Sequence, residues 1–248
     1  MKSFFSPIRR RILRSIRNEG LARTLARVVR QFVTPRSFKQ SERSDFDLTY
    51  NVHTAGTVSL ADLKVTGPNW LHGTYYEPTR NVEHFRTLLS SLNIPYEDFI
   101  FVDFGSGRGR ALLLASEFPF STVIGIEFAA ELHADAVNNI ASYRGVQKCK
   151  SIRSVLMDFV DYQIPPVPLV AYLYNPCTEM VLSRVIENLQ ASLEKSPRPC
   201  FVIYLSAEPT SLFNKVKFLN EVRADGIHRV FVNELARRYA AASGLALV

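Results

Sequence analysis

A short glycine-rich loop next to an acidic residue holds the side chains best suited to chemistry. The run Asp103-Phe104-Gly105-Ser106-Gly107-Arg108-Gly109-Arg110 follows an apolar segment and precedes a helical pattern. Glycines at 105, 107 and 109 let the backbone bend sharply and let a ligand approach without Cβ clashes. Open α/β sheets bind nucleotides at the carboxyl ends of their strands, so the loop predicts a nucleotide-type ligand site.

Two classes of nucleotide cofactor use such a loop, and two of its residues discriminate between them. A dinucleotide site needs the pattern G-x-G-x-x-G, in which the pyrophosphate rests on the helix N-terminus. Here Arg110 takes the sixth position, and the Asp103 carboxylate would repel a pyrophosphate. The same carboxylate suits a cationic ligand such as S-adenosylmethionine, which carries a sulfonium and an ammonium. A nicotinamide-dependent oxidoreductase remains an alternative.

Further acidic residues follow the next two predicted strands. Glu127 ends the second strand, 24 residues after Asp103, and Asp158-Phe159 follows the third. The carboxylate of Glu127 can accept two hydrogen bonds from ribose hydroxyls, whichever nucleotide is bound. Asp158 is open to two interpretations, a ligand contact or a turn carboxylate. One acid after each of three successive strands is a more specific pattern than any single member.

The elements that position these residues are short apolar runs that alternate with amphipathic segments. Such alternation predicts a doubly wound, mostly parallel α/β sheet. The two last strands face each other across Asp225-Gly226, a turn signal that predicts an antiparallel pair. Strands are expected at 99–104, 122–128, 151–157, 169–174, 200–205, 217–222 and 228–232, and helices at 79–92, 108–117, 130–142 and 179–193, whereas 36–50 is expected to be loop-like.

Charge divides the 248 residues into unlike parts. The chain has 30 Lys+Arg and 23 Asp+Glu, a net charge of +7, and 47% of its residues are hydrophobic. Residues 1–45 alone hold 12 basic and 3 acidic residues, a balance of +9, whereas the rest balances at −2. We therefore predict three parts: a basic amphipathic helical extension (1–45), a cap with a pre-sheet helix (46–95), and the ligand-binding domain (96–248).

The basic extension admits several functions. Four interpretations are open: a structural helix pair, a surface that docks on an anionic membrane or an acidic partner, a nucleic-acid contact, and a mitochondrial presequence. The slightly acidic body makes nucleic acid the less favoured partner. We expect a cytoplasmic protein, peripheral at the membrane if the extension binds lipid, with a mitochondrial address as the alternative. Three cysteines without C-x-x-C spacing predict reduced thiols and no metal site.

The chain from about 46 to 233 resembles an uncharacterised group of bacterial class I S-adenosylmethionine-dependent methyltransferases. The residues that carry the resemblance are Gly73-Thr74-Tyr75-Tyr76-Glu77-Pro78, Phe101 to Arg110, Gly125-Ile126-Glu127-Phe128 and Tyr174-Asn175-Pro176. The run from Asp103 to Glu127 is also similar to lysine methyltransferases of the Dot1 type and of the mitochondrial ATP-synthase-subunit type. The resemblance implies a seven-stranded sheet, with the terminal hairpin supplying its antiparallel strand.

The resemblance also implies roles for named residues. Asp103, Gly105, Ser106, Gly107 and Gly109 would hold the methionine end of S-adenosyl-L-methionine, Glu127 the ribose, and Asp158 with Phe159 the adenine side. Tyr75 or Tyr76 would pack on the methionine part of the cofactor or face its sulfonium, and Asn175 would lie near the acceptor. Tyr76 and Asn175 are the candidate catalytic residues. Amino-group methyltransferases often carry Asn-Pro-Pro-aromatic here, whereas this chain has Asn175-Pro176-Cys177. The expected acceptor is a nitrogen of a protein or small molecule, and a non-catalytic methyltransferase-like binding module is the alternative.

Overall fold

One mixed β-sheet between two helical layers organises the described part of the chain. The computed structural model describes residues 43–60, 63–65, 69, 72–73, 75–205, 212–225 and 228–242. The strands are β1 Ile100–Phe104, β2 Thr122–Glu127, β3 Ile152–Leu156, β4 Leu169–Tyr174, β5 Cys200–Leu205, β6 Asn220–Asp225 and β7 His228–Val232. The α-helices are α1 Asp45–Tyr50, α2 Val82–Ser90, α3 Arg110–Ser116, α4 Ala130–Ser142, α5 Glu179–Lys195 and α6 Arg237–Ala242.

The strand order is β3-β2-β1-β4-β5-β7-β6. The pairs β1–β2, β1–β4, β2–β3 and β4–β5 are parallel, whereas β7 is antiparallel to both of its neighbours. The chain order reverses between β1 and β4, so these two strands form the switch point at which doubly wound sheets bind ligands. The predicted fold class, a doubly wound seven-stranded sheet with one antiparallel strand, is therefore confirmed.

Strand β1 is buried along its whole length, and its side chains alternate between two cores. Phe101 belongs to the core beneath α2 and α3, which also contains Tyr172. Ile100, Val102 and Phe104 belong to the other core, which is covered by α5. Asp103 falls on the Phe101 side, so the fold places a carboxylate at the end of a strand whose other side chains are apolar.

Most predicted boundaries lie within three residues of the observed ones. Helix 130–142 and the strands at 169–174, 200–205 and 228–232 are observed at the predicted residues. The strand predicted at 217–222 is displaced to Asn220–Asp225. The prediction that 36–50 is loop-like is wrong for its last six residues, because Asp45–Tyr50 is a helix. Ser44 caps this helix through a capping box with Asp47.

Several predictions fall outside the described residues. The basic extension lies there except for residues 43–45, and so does the turn glycine at 226. The division into three parts and the functions considered for 1–45 stay predictions. Within the described residues, no helix is long and apolar enough to cross a membrane. Cys149, Cys177 and Cys200 are buried free thiols.

Candidate functional site

A cavity that is partly open to solvent lies at the carboxyl ends of β1, β2 and β4. Of the sequence-predicted residues, Asp103, Gly105, Ser106, Glu127, Phe159 and Tyr76 line it. Gly107, Gly109, Asp158 and Asn175 are described residues that are not part of its lining.

The glycine loop turns tightly beneath an aromatic ring. Gly105, Gly107 and Gly109 all have positive φ, at +98°, +53° and +84°. A Cβ on Gly107 would lie 2.1 Å from the ring carbons of Tyr76. Two features of the structure require glycine at this position. The backbone is left-handed, and the Tyr76 ring occupies the space where Cβ would be. Gly109 is the N-cap of α3.

Glu127 joins the end of β2 to this loop. Its Oε2 accepts a hydrogen bond from the Gly107 N–H at 2.8 Å, and its Oε1 accepts one from the Ala129 N–H at 2.8 Å. Burial raises the pKa of Glu127 to about 7. Each carboxylate oxygen has a second lone pair, so Glu127 retains the capacity to accept hydrogen bonds from a ligand in the cavity.

Asp103 is a buried carboxylate with no hydrogen-bond donor in the described part of the chain. Its exposed fraction is 3%, and it lines the cavity together with Glu127. Burial and the nearby Glu127 carboxylate raise its pKa well above the usual range. Ser106 also lines the cavity, and its buried Oγ lacks a hydrogen-bond partner among the described residues. Buried polar groups are normally paired, so these two groups indicate a site built for a ligand.

Tyr76 contributes its ring to the cavity, while its hydroxyl is engaged elsewhere. The hydroxyl donates to the Thr54 carbonyl at 2.6 Å, and burial raises the pKa of Tyr76. The guanidinium of Arg108 lies 5.7 Å from the ring centroid. The structure thus assigns Tyr76 a packing surface above Gly107, and the catalytic role stays a prediction.

Arg110 is a buried anchor for the segment before the sheet. Its side chain donates to Thr54 Oγ1 at 2.7 Å and to Ser44 Oγ at 2.9 Å, and Nη2 lies 3.6 Å from Oδ1 of Asp47. Asp47 is fully buried and also accepts from the backbone of Thr54 and Ala55. The arginine that interrupts the dinucleotide pattern therefore holds the segment carrying Thr54, the hydrogen-bond acceptor of Tyr76.

The carboxylate of Asp158 is occupied by protein donors. Its Oδ2 accepts from the Asn69 side chain at 2.7 Å and its Oδ1 from the Val160 N–H at 3.1 Å, which caps the 3-10 turn Phe159–Asp161. Its neighbour Phe159 lines the cavity and packs edge-on against Phe104. The turn-carboxylate interpretation describes Asp158 as observed, and a direct ligand contact stays a prediction.

Asn175 adopts an unusual backbone conformation beside the cavity. Its φ is +42°, and its N–H donates to the Leu205 carbonyl at 2.8 Å. The next residue, Pro176, lines the cavity and would lie 3.0 Å from a Cβ on Gly105. The structure therefore brings this segment to the cavity through Pro176, and the acceptor role of the Asn175 side chain stays a prediction.

Among the lining residues missed as candidates in the sequence are two that lie within motifs recognised there. Glu77 is in the Tyr75-Tyr76-Glu77-Pro78 run, and Tyr174 precedes Asn175. The Tyr174 hydroxyl donates to Oε2 of Glu77 at 3.4 Å. A carboxylate inside a motif that also carries aromatic residues is the signal by which Glu77 could have been found. Within the described residues, no group of three or more His, Cys, Asp and Glu side chains could hold a metal ion.

Comparisons with known proteins give distant structural similarities only. No family model matches the chain, and no curated protein is significantly similar to it. A methyltransferase-like protein from Silicibacter pomeroyi is 14% identical with a TM-score of 0.45; the alignment covers 66% of this chain and 89% of that one. A TehB-like SAM-dependent methyltransferase from Corynebacterium glutamicum is 15% identical with a TM-score of 0.43, covering 60% and 85%.

A third solved structure is TrmK of M. capricolum in complex with S-adenosyl-homocysteine. It is 10% identical with a TM-score of 0.39, and the alignment covers 59% of this chain and 66% of that one. Similarities at this distance carry no argument about ligand or substrate. The fold is assigned from the strand order of this chain.

Proposed function

We propose that this protein is an S-adenosylmethionine-dependent methyltransferase that acts on a nitrogen of a protein or small-molecule acceptor. The observation that carries the proposal is the Asp103 carboxylate, which is buried, lines the cavity and has no hydrogen-bond donor in the described part of the chain. A buried carboxylate next to a second one is costly unless a cation or a donor group pairs with it. The ammonium group of S-adenosylmethionine is both a cation and a hydrogen-bond donor.

The lining residues fit this cofactor in chemical type. Asp103 would accept hydrogen bonds from the methionine ammonium, and the unpaired Ser106 Oγ offers a further polar contact. Glu127 would accept from the ribose hydroxyls with its remaining lone pairs. Phe159 would give the base an apolar surface, and Asp158 would act indirectly by capping the turn that carries Phe159.

The bound cofactor would supply a methyl group on a positively charged sulfur. Transfer would break the bond between the methyl carbon and sulfur and leave the bonding electrons on sulfur. The methyl carbon would then be bonded to the acceptor nitrogen through the lone pair of that nitrogen. The protein's part is placement, because correct alignment of the two reactants supplies most of the rate in such a displacement. The segment Tyr174-Asn175-Pro176 at the end of β4 is the part of the chain that we assign to the acceptor side.

Calorimetry tests the proposal directly. Wild-type protein is titrated with S-adenosylmethionine and with S-adenosylhomocysteine. The Glu127→Ala substitution is expected to lower the affinity for each compound by tenfold or more, because it removes charge-assisted hydrogen bonds. A fluorescence titration with NADH tests the oxidoreductase alternative, and we expect no binding because two carboxylates face the cavity. Failure of the wild type to bind either S-adenosyl compound would refute the proposal.

A labelled-methyl transfer assay on fractionated cell extract then separates the enzyme from the non-catalytic module. The enzyme transfers label to an acceptor fraction, whereas a module binds the cofactor without turnover. The same assay on a chain lacking residues 1–45 tests our proposal that the basic extension docks the protein on an acidic partner or an anionic membrane. In that case the truncated chain should keep its cofactor affinity and lose that partner.

A further inference from the structure

A third carboxylate, Glu77, lines the same cavity as the Asp103–Glu127 pair. Its side chain is 16% exposed, and it is bound by the hydroxyl of Tyr174, the last residue of β4. Two residues earlier in β4, Tyr172 pairs in register with Asp103. The hydroxyl that binds Glu77 therefore belongs to a residue two positions closer to the carboxyl end of β4 than the partner of Asp103.

The positive partner of Glu77 is exposed to solvent. Arg80, three residues along the chain, makes an ion pair and a hydrogen bond to Oε1 of Glu77, and this bond raises the pKa of Arg80. The Arg80 side chain is 76% exposed, whereas Glu77 is mostly buried. Ion pairs that involve an exposed partner contribute little stability, so another cation can replace the guanidinium at small cost. A mostly buried carboxylate without any cation would be far less favourable.

The surroundings of Glu77 favour cations over anions. Tyr75, 46% exposed, and Tyr174 line the same cavity, and aromatic faces attract ammonium groups. The guanidinium of Arg110 also lies at the wall, but it is bound to Ser44, Thr54 and the Thr79 carbonyl. With Asp103 and Glu127 also facing the cavity, the described lining carries more acidic than available basic groups.

We infer that Glu77 binds the positively charged amine of the methyl acceptor, which takes the place that the Arg80 guanidinium holds on this carboxylate. The inference rests on the proposed methyltransferase function and narrows its substrate class to aliphatic amines that are protonated when they bind. Before transfer the ammonium passes one proton to the Glu77 carboxylate, and the freed nitrogen lone pair then bonds to the methyl carbon. A neutral amide or ring nitrogen would leave Glu77 paired with Arg80 and would gain nothing from it. Glu77 is thus a specificity-determining residue, and Arg80 is a replaceable counter-ion.

The test measures binding of three small probes to protein saturated with S-adenosylhomocysteine. Ligand-observed NMR titrations compare n-butylammonium, 1-butanol and butyrate, which differ in charge and share a short alkyl chain. Wild type should bind the ammonium best. Glu77→Gln should weaken ammonium binding about tenfold, the value of one lost charge-assisted hydrogen bond. Arg80→Ala should strengthen it about threefold, because a competing cation is removed.

The opposite signs of these two effects separate recognition from a structural role. If the Glu77–Arg80 pair only stabilises the fold, both variants change ammonium binding in the same direction or leave it unchanged. Glu83→Gln is the matched control, because it removes the same charge from a side chain that is 79% exposed and paired with Arg86 on α2. It should leave the affinities for all three probes at the wild-type values.

Three results would overturn the inference. They are no butylammonium binding by the wild type, equal binding by wild type and Glu77→Gln, and a preference for butyrate that Arg80→Ala abolishes. The last result would identify an anionic acceptor held by Arg80. Calorimetry with S-adenosylhomocysteine on the same samples distinguishes a failure of the proposed function from a failure of the role of Glu77. Lost cofactor binding by the wild type refutes the proposed function, whereas intact cofactor binding with unchanged ammonium binding refutes only the role of Glu77.

Discussion

The backbone N–H of Gly107 donates to Oε2 of Glu127 across 2.8 Å, which joins the loop after β1 to the carboxylate at the end of β2. The two residues are 20 positions apart in sequence, and both belong to motifs that the sequence marks as ligand-binding. Their hydrogen bond orients the Glu127 carboxylate without a ligand. Part of the ordering that binding would otherwise require is therefore already built into the fold.

Substituting Gly107 should abolish the site by moving this loop. An added Cβ would lie 2.1 Å from the Tyr76 ring, and φ is +53°. We expect Gly107→Ala to weaken S-adenosylhomocysteine binding by tenfold or more in calorimetry. The double variant Gly107→Ala, Tyr76→Ala should recover much of this affinity because the clash is removed.

Gly56→Ala provides the control for backbone strain. Gly56 also has a positive φ, +92°, and is not part of the cavity lining in the described residues. The Gly56→Ala substitution should lower the free energy of unfolding by about 1 kcal/mol and leave the cofactor affinity unchanged. If the double variant binds no better than Gly107→Ala alone, the Tyr76 clash is not the cause of the loss.

The raised pKa of Glu127 predicts a pH dependence of both stability and binding. Because its folded-state pKa is raised to about 7, the folded protein holds a proton that the unfolded chain releases near its ordinary, lower value. The unliganded protein should therefore lose stability as the pH rises from about 5 to 8. A cofactor that needs the ionised carboxylate should bind more tightly over the same range, with release of protons.

Calorimetry in two buffers of different ionisation enthalpy measures that proton release. Glu127→Gln should reduce the number of protons released on binding and flatten the fall in melting temperature between pH 5 and 8. Asp103, whose pKa is raised by burial and by Glu127, should retain part of the dependence. Affinity that is constant with pH in the wild type would contradict an ionised-carboxylate contact.

The buried ion pair between Arg110 and Asp47 should be a major determinant of stability. Their side chains are 7% and 0% exposed, and Arg110 also donates hydrogen bonds to Ser44, Thr54 and the Thr79 carbonyl. Arg110→Met removes the cation beside the buried Asp47 carboxylate together with the hydrogen bonds of the guanidinium, and we expect a loss of about 3–5 kcal/mol in urea unfolding.

Arg229→Met serves as its control. Arg229 pairs with Glu221 at the sheet edge, where the side chains are 39% and 21% exposed. Its loss should cost less than about 1 kcal/mol. Similar unfolding free energies for the two variants would show that the Arg110 network contributes no more than a surface pair.

The sequence was sufficient for the sheet and for the residues at its strand ends, because both depend on local patterns. Alternating apolar runs predicted β4, β5 and α4 at their observed bounds, and the acids that follow the strands located Asp103 and Glu127. Contacts between segments that are far apart along the chain could not be predicted from the sequence. Asp158 is bound by Asn69, 89 residues away, and Glu77 is bound by Tyr174, 97 residues away. Neither spacing leaves a periodic signal.

The same limit applies to Arg110. In the sequence it is a departure from the dinucleotide pattern, whereas in the structure it holds the segment that contains Ser44 and Thr54. Helix α1 was missed for a related reason. Six residues give too short a window for a 3.6-residue period, and the capping box of Ser44 and Asp47 was the remaining local signal.

Asn175 can act through its side chain or through its backbone, and two variants separate these roles. Its φ of +42° lies in the left-handed region, which asparagine and glycine tolerate better than other residues. Asn175→Gly keeps the backbone and removes the side-chain amide, whereas Asn175→Ala removes the amide and adds strain of about 1 kcal/mol. Methyl transfer to the acceptor fraction, measured beside S-adenosylhomocysteine affinity, separates the two roles.

If the amide orients the acceptor, both variants should lose transfer activity by about 100-fold or more while cofactor affinity stays within twofold, because misplacement of a reactant is costly in rate. If only the turn matters, Asn175→Gly should retain activity and Asn175→Ala should lower the melting temperature. The second outcome would place the contribution of this segment in Pro176, which lines the cavity, and would remove Asn175 from the acceptor side.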